Sequence, residues 1–179
     1  MSPLSLSDCE RLLAVTGELY SVGDISNLPQ QFLRSLNSVI AHEFGGCHLI
    51  EPSRHHIAAC YEPERLPLPA QHKEFWRLAD QHPLNKVLFS HPSRAWKLSD
   101  VISRQAFHAT EFYNVLYRPL QVDCELVAAL PDHAAPSAFF LISLHRRRDD
   151  FSERDRTVLN LLLPHVANAR RRIRANAQP

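Results

Sequence analysis

Apolar positions recur at helical spacing at both ends of the chain and alternate in short runs through its middle. Near the N-terminus Cys9, Leu12, Thr16 and Leu19 follow a 3-4-3 spacing. Ser7 and Glu10 sit in front of that run as a capping box, so a helix is expected from Ser7 to Tyr20. Asn27 and Pro29 open a second helix that carries Phe32, Leu33, Leu36, Val39, Ile40 and Phe44, and Gly45-Gly46 is expected to end it. Two short strands follow, Cys47 to Glu51 and Ile57 to Glu62, joined as a hairpin through Pro52 to His55. Pro63, Pro67 and Pro69 mark a loop, and Ala70 to Asp80 reads as a helix closed by His82-Pro83. A weakly patterned segment then runs to His91-Pro92.

Arg94 to Leu98 reads as a short strand, and Ser99 to Tyr117 as a mostly helical stretch stopped by Pro119. Val122 to Leu130 and Ala138 to His145 are the clearest strands, with Pro131 to Pro136 as the hairpin between them. The final helix is capped by Ser152 with Asp155 three residues on and runs to Arg174. Strands in adjacent pairs, without βαβ alternation, predict an α+β fold around an antiparallel sheet. The strand Val122 to Leu130 and one of its neighbours should be the two central strands, with Val122, Cys124, Leu126, Ala128 and Leu130 on one face and Asp123, Glu125, Val127 and Ala129 on the other.

Composition adds bounds rather than a function. A chain of 179 residues with 45% hydrophobic and 22% charged residues is ordinary for one globular domain. A net charge of +1 gives no field for gathering nucleic acid or an anionic membrane. No basic, apolar leader opens the chain, and no apolar run approaches the ~20 residues of a membrane helix, so a cytoplasmic protein is expected. With 4 glycines, of which only Gly45 and Gly46 are adjacent, a Gly-rich phosphate loop is excluded. The cysteines Cys9, Cys47, Cys60 and Cys124 form no CxxC pair and read as free thiols. His42-Glu43 begins like a zinc-protease motif, but Gly46 stands where the second histidine belongs, so no metal site is expected.

Three groups of residues carry candidate roles. Leu159, Leu162, Val166, Ala169 and Ile173 form a heptad-spaced seam, which either pairs along another helix or packs on the domain's own sheet. The arginines 170, 171, 172 and 174 beyond it are a solvated helix end or a partner surface. The aromatic residues Trp76, Trp96, Phe107, Phe112, Tyr113 and Tyr117 are either core or the wall of a small-molecule pocket. Cys124 and His145 lie on neighbouring strands and are a candidate thiolate–imidazole pair.

The runs Trp96 to Ser103, Ala106 to Asn114 and Tyr117 to Leu120 resemble the N-terminal sensory region of LuxR-type transcription regulators. So do His145 to Arg148, Asp150 to Asp155 and Leu162 to His165. That region is GAF-like and related to PAS domains. The resemblance implies a single sensory domain over residues 1–179, with 156–179 as a terminal dimerisation or connecting helix. It implies a central antiparallel sheet of five or six strands, with the terminal helices on one face and a pocket on the other. Trp76, Trp96, Phe107, Tyr113, Tyr117, Cys124 and His145 are the expected ligand-binding residues. Leu12, Leu19, Leu159, Leu162, Val166, Ala169 and Ile173 are the expected dimer contacts. The family's helix-turn-helix domain would follow the last helix and is absent from this chain, so DNA would be reached only through it. The expected partners are a small-molecule ligand and a second copy, with no membrane, no cofactor and no catalytic residue. The alternative is a GAF-like enzyme with a cysteine nucleophile.

Overall fold

The computed structural model describes residues 4–54, 56–63, 71–132 and 138–177. Ser5, rather than Ser7, caps the first helix, α1 (Leu6–Ser21): its hydroxyl accepts the Asp8 amide at 3.1 Å, and Asp8 returns a bond to the Ser5 amide at 2.9 Å. The inward face is accordingly Leu12, Val15, Leu19 and Val22, and Cys9 is exposed. Helix α2 (Leu28–Leu36) stops well before the glycines, although Val39 and Ile40 remain buried beyond it. Gly45 and Gly46 instead lie in strand β1 (Phe44–Glu51). They are needed for close approach rather than for a cap. A Cβ on Gly45 would lie 2.9 Å from His42 Nε2, and one on Gly46 would lie 2.5 Å from His48 Nε2.

Strand β2 (His56–Glu62) pairs antiparallel with β1, so the first hairpin forms as expected. Helices α3 (Gln71–Leu78) and α4 (Asn85–Ser90) follow; the segment before His91 that had little pattern is thus helical. Then come β3 (Ala95–Lys97), the short α5 (Arg104–His108) and a π-helical turn, Tyr113–Tyr117. Strands β4 (Cys124–Pro131) and β5 (Phe139–Arg146) pair antiparallel, and their connection falls largely outside the described residues. Helix α6 (Glu153–Asn176) is capped by Ser152 and Asp155 as its sequence predicts. It runs unbroken through Pro164, whose missing N–H frees the Asn160 carbonyl. The Asn160 side chain accepts the Ala95 amide at 2.8 Å and ties α6 to β3.

The sheet has five strands in the order β2-β1-β5-β4-β3, and every pairing is antiparallel. The centre is therefore β5, with β4 one place out. Both faces are covered, which explains why β4 is buried along nearly its whole length. On one face Cys47, Cys124, Leu126, Ala128, Leu130, Ile142 and Leu144 pack under α2 and α6, with α1 laid over both helices. On the other, Val127, Ala129 and Trp96 meet α3, α4, α5 and the π turn.

The heptad seam packs within the chain. Leu159, Val166 and Ala169 are fully buried, and Leu19, Leu162 and Ile173 nearly so. Leu12 packs against the same core. Six of the seven expected dimer contacts therefore face the chain's own core, and Leu12 is only partly buried. The outward apolar side chains of the two terminal helices are Leu6, Leu13 and Leu161. The arginine tail is not simply solvated either. Arg170 is buried, donates to Asp132 at 2.7 Å and stacks 3.9 Å from the Phe140 ring centroid. Arg174 also reaches Asp132, and Arg172 donates to the Val22 carbonyl at 2.9 Å. Among the described residues no helix is long and apolar enough to cross a membrane.

Candidate ligand cavity

Alternation along the strands decides which side chains face the helices α3 and α4. The pairings Phe44–His145, Gly46–Ser143 and His48–Leu141 place these side chains on that face, and Glu125 stands directly across from His145. Between this face and the helices lies a cavity of about 250 Å³. Phe75, Trp76 and Ala79 of the α3 region close one side, and Leu88 and Phe89 of α4 another. Phe112, Leu116 and Tyr117 roof it from the π turn, and Ile50, Ile57 and Tyr61 form its far wall on β1 and β2. A π-helical turn widens the helix by one residue and is common where a side chain must be aimed into a site. Here it brings Tyr117 over the sheet, 5.6 Å from the His145 ring.

The lining is largely apolar, with a polar group at one end. Glu125 is 3% exposed. Its Oε2 lies 3.1 Å from His82 Nε2. By strict geometry that atom has no hydrogen-bond partner among the described residues, although the His82 ring and the Tyr117 hydroxyl both stand close enough to the carboxylate to stabilise it. His82 Nε2 is also 3.2 Å from the Tyr117 hydroxyl. The Leu84 amide donates to His82 Nδ1 at 3.2 Å, which leaves Nε2 as the protonated nitrogen facing Glu125 and Tyr117. His145 Nδ1 is likewise buried without a hydrogen-bond partner among the described residues.

Burial would raise the Glu125 carboxyl, but His82, His145 and the Tyr117 hydroxyl outweigh it and hold the group below the ordinary carboxylate value. Burial also keeps His145 neutral, and burial beside Glu125 raises Tyr117 well above an ordinary phenol. A carboxylate, two imidazoles and a phenol thus form one hydrogen-bonding end in an otherwise apolar chamber. Such an arrangement fixes the orientation of a bound small molecule. Farther along, His48 approaches the Ser143 hydroxyl at 3.2 Å. Among the described residues no three His, Cys, Asp or Glu side chains converge to hold a metal ion.

Of the seven residues expected at the pocket, Trp76, Tyr117 and His145 line the cavity. Trp96 is on the same sheet face but packs beside it, under Arg94, whose guanidinium carbon is 4.4 Å from the ring centroid. Phe107 is fully buried beneath the π turn. Tyr113 sits at a separate outer cluster, where its hydroxyl donates to Asp123 at 3.0 Å and its ring stacks on His108. Cys124 faces the terminal helices, on the opposite side of the sheet from His145. The thiolate–imidazole pair therefore does not exist. The Cys124 thiol is pushed up to about 11 by burial, away from the thiolate form that a nucleophile needs. Glu125 and His82 were missed as site residues. The signal for Glu125 was a lone acid in the strand Cys124 to Leu130: if both faces of that strand are apolar, the acid must be buried.

No protein-family model and no curated protein matches the chain. Solved structures do match in fold. The LBD domain of VqsR from Pseudomonas aeruginosa superposes with a TM-score of 0.66 at 18% identity, over 94% of this chain and 97% of that one. The N-acylhomoserine lactone dependent LuxR-family transcription factor CepR2 from Burkholderia cenocepacia gives 0.58 at 13% identity, over 93% and 95%. The phycoerythrobilin-bound GAF domain of a cyanobacterial phytochrome gives 0.63 at 13% identity, over 98% and 100%. With its five-stranded antiparallel sheet between two helical layers, the chain has the fold shared by GAF domains and the ligand-binding domains of LuxR-family regulators.

Proposed function

We propose that the chain is the sensory domain of a LuxR-type transcription regulator, acting in the cytoplasm, and that it binds a small molecule in the cavity. The observation that carries this reading is an apolar chamber of about 250 Å³ with a buried, incompletely paired polar group at one end. A core built only for stability would fill such a space and leave no buried carboxylate short of hydrogen bonds. Ligand-binding neighbours of the same fold support it. A bound ligand would favour one setting of α3, α4 and the π turn against the sheet. Helix α6, on the other face of the same strands, would carry the change onward. The domain pairs as a homodimer through the outward side chains Leu6, Leu13 and Leu161 rather than through the buried seam.

Trp76 provides the test, because it is one of only two tryptophans and lines the cavity. A compound that binds there should raise the melting temperature and change the intrinsic fluorescence. Trp76→Phe should abolish most of the fluorescence change, and Leu141→Trp, which fills the chamber, should abolish binding. Binding that survives Leu141→Trp would place the ligand elsewhere and overturn the reading.

A further inference from the structure

Fixed charge in the cavity is of one sign. Among the described lining residues, the acidic side chains are Glu125 at the buried end and Asp80 at the exposed mouth, and none is a lysine or arginine. Among the described residues Glu125 meets imidazoles and a phenol but no guanidinium or ammonium group. A buried carboxylate without a full counter-charge is costly, and a positive group brought to it recovers much of that cost. The remaining walls supply rings. Trp76, Tyr61, Phe112 and Tyr117 present aromatic surface to the same space, and aromatic faces attract organic cations. His145 Nδ1, without a hydrogen-bond partner among the described residues and on the strand position across from Glu125, can accept a second N–H in the tautomer protonated at Nε2.

We propose that the cavity takes an organic amine, with its protonated nitrogen between Glu125 and His145 and its apolar or aromatic body among Trp76, Phe89 and Phe112. This rests on the chain being a small-molecule sensor and names the ligand class. A neutral amide or hydroxyl could satisfy one oxygen of Glu125 but would leave its charge uncompensated. A carboxylate or phosphate ligand would add a second negative charge in a low-dielectric space. The chamber is at the small end of ligand pockets, roughly 300–1,000 Å³. That favours a compact amine with one ring or a short chain over a long lipid.

The experiment is calorimetry and thermal shift on the whole chain with size-matched probes of three charge types. The amines are phenethylamine and tryptamine, the acids are hydrocinnamate and indolepropionate, and the neutral probes are phenylpropanol and N-hexanoyl homoserine lactone. The amines should bind more tightly than the acids and neutral probes. Glu125→Gln should weaken the amines about tenfold or more, the loss expected for a charge-assisted contact, and leave phenylpropanol little changed. The ranking in the unmodified chain stands whether or not the variant folds, and Asp80→Asn at the mouth gives a milder second loss. Amines that bind no better than the acids or neutral probes, or that ignore Glu125→Gln, overturn the amine assignment. Tight binding of the lactone or the alcohol alone would do so while leaving the sensor reading intact. Failure of every probe, together with failure of a broad ligand screen, would overturn both.

Discussion

His145 Nδ1 is buried without a hydrogen-bond partner among the described residues, and His42 Nε2 is in the same condition. Burial lowers both groups below their ordinary value of 6.5. Glu125 opposes that shift at His145, whereas His82 and His42 reinforce it. The sign follows from proton counting. Below about pH 6.5 the unfolded chain takes up protons on these rings while the folded chain does not. Stability contributed above that value is therefore lost as the pH falls, by at most about 1.4 kcal/mol per pH unit for each histidine. Glu125, held below its ordinary value, adds a further loss of the same sign at lower pH. The melting temperature should drop between about pH 7.5 and about pH 5.5, with a shallower slope for His145→Gln. A flat profile in the unmodified chain would show that these rings are not protected from protonation.

Among the elements, α6 shows how much one register position matters. Leu162 is 1% exposed and Leu161 is 45% exposed, although they are neighbours in sequence. Leu162→Glu places a charge in the core and should cost more than about 4 kcal/mol, seen as loss of cooperative unfolding. Leu161→Glu should change stability by no more than about 0.5 kcal/mol. If Leu161 lies in a homodimer contact, the same substitution should halve the sedimenting mass; a chain that is monomeric at micromolar concentration before any substitution would remove the dimer. Ser152→Ala removes the hydroxyl that accepts the Asp155 amide at 3.1 Å. It should cost about 1 kcal/mol in urea unfolding. This cap and the helix behind it were legible in the sequence because capping is local: its partners are three residues apart. The N-terminal cap was displaced by two residues, since Ser5 and Asp8 satisfy the same pattern and Asp8 also reaches Arg154 across the fold.

For the whole molecule, the junction at Asp132 joins the end of β4 to the far end of α6. Asp132 accepts from both Arg170 and Arg174, and its side chain is almost fully buried. Asp132→Asn leaves the Arg170 guanidinium buried without its full counter-charge. Breaking such a pair by removing one partner should cost about 3 kcal/mol, measured by denaturant unfolding. A loss below about 0.5 kcal/mol would show that solvent reaches the junction and screens it. The same junction ties α6 to the sheet that forms the cavity floor.

Local rules in the sequence were enough to determine the strand pairs, the Ser152 cap, the antiparallel class and the presence of an aromatic region. Each depends on residues within a few positions of one another, through alternation, capping or turn chemistry. The resemblance to LuxR-type sensory regions added a sheet with the terminal helices on one side and a pocket on the other, and this layering is present. Tertiary structure decided which face of β4 meets the pocket. Both faces of that strand are apolar, so alternation separates Cys124 from Glu125 without saying which set lies under α6. It likewise decided that the α6 seam closes on the chain's own core, because a 3-4 stripe fits a sheet as well as a partner helix. The polar end of the cavity joins His82, Tyr117, Glu125 and His145 from four separate segments. No local pattern links those positions; only the packing of the π turn and α4 over the sheet brings them together.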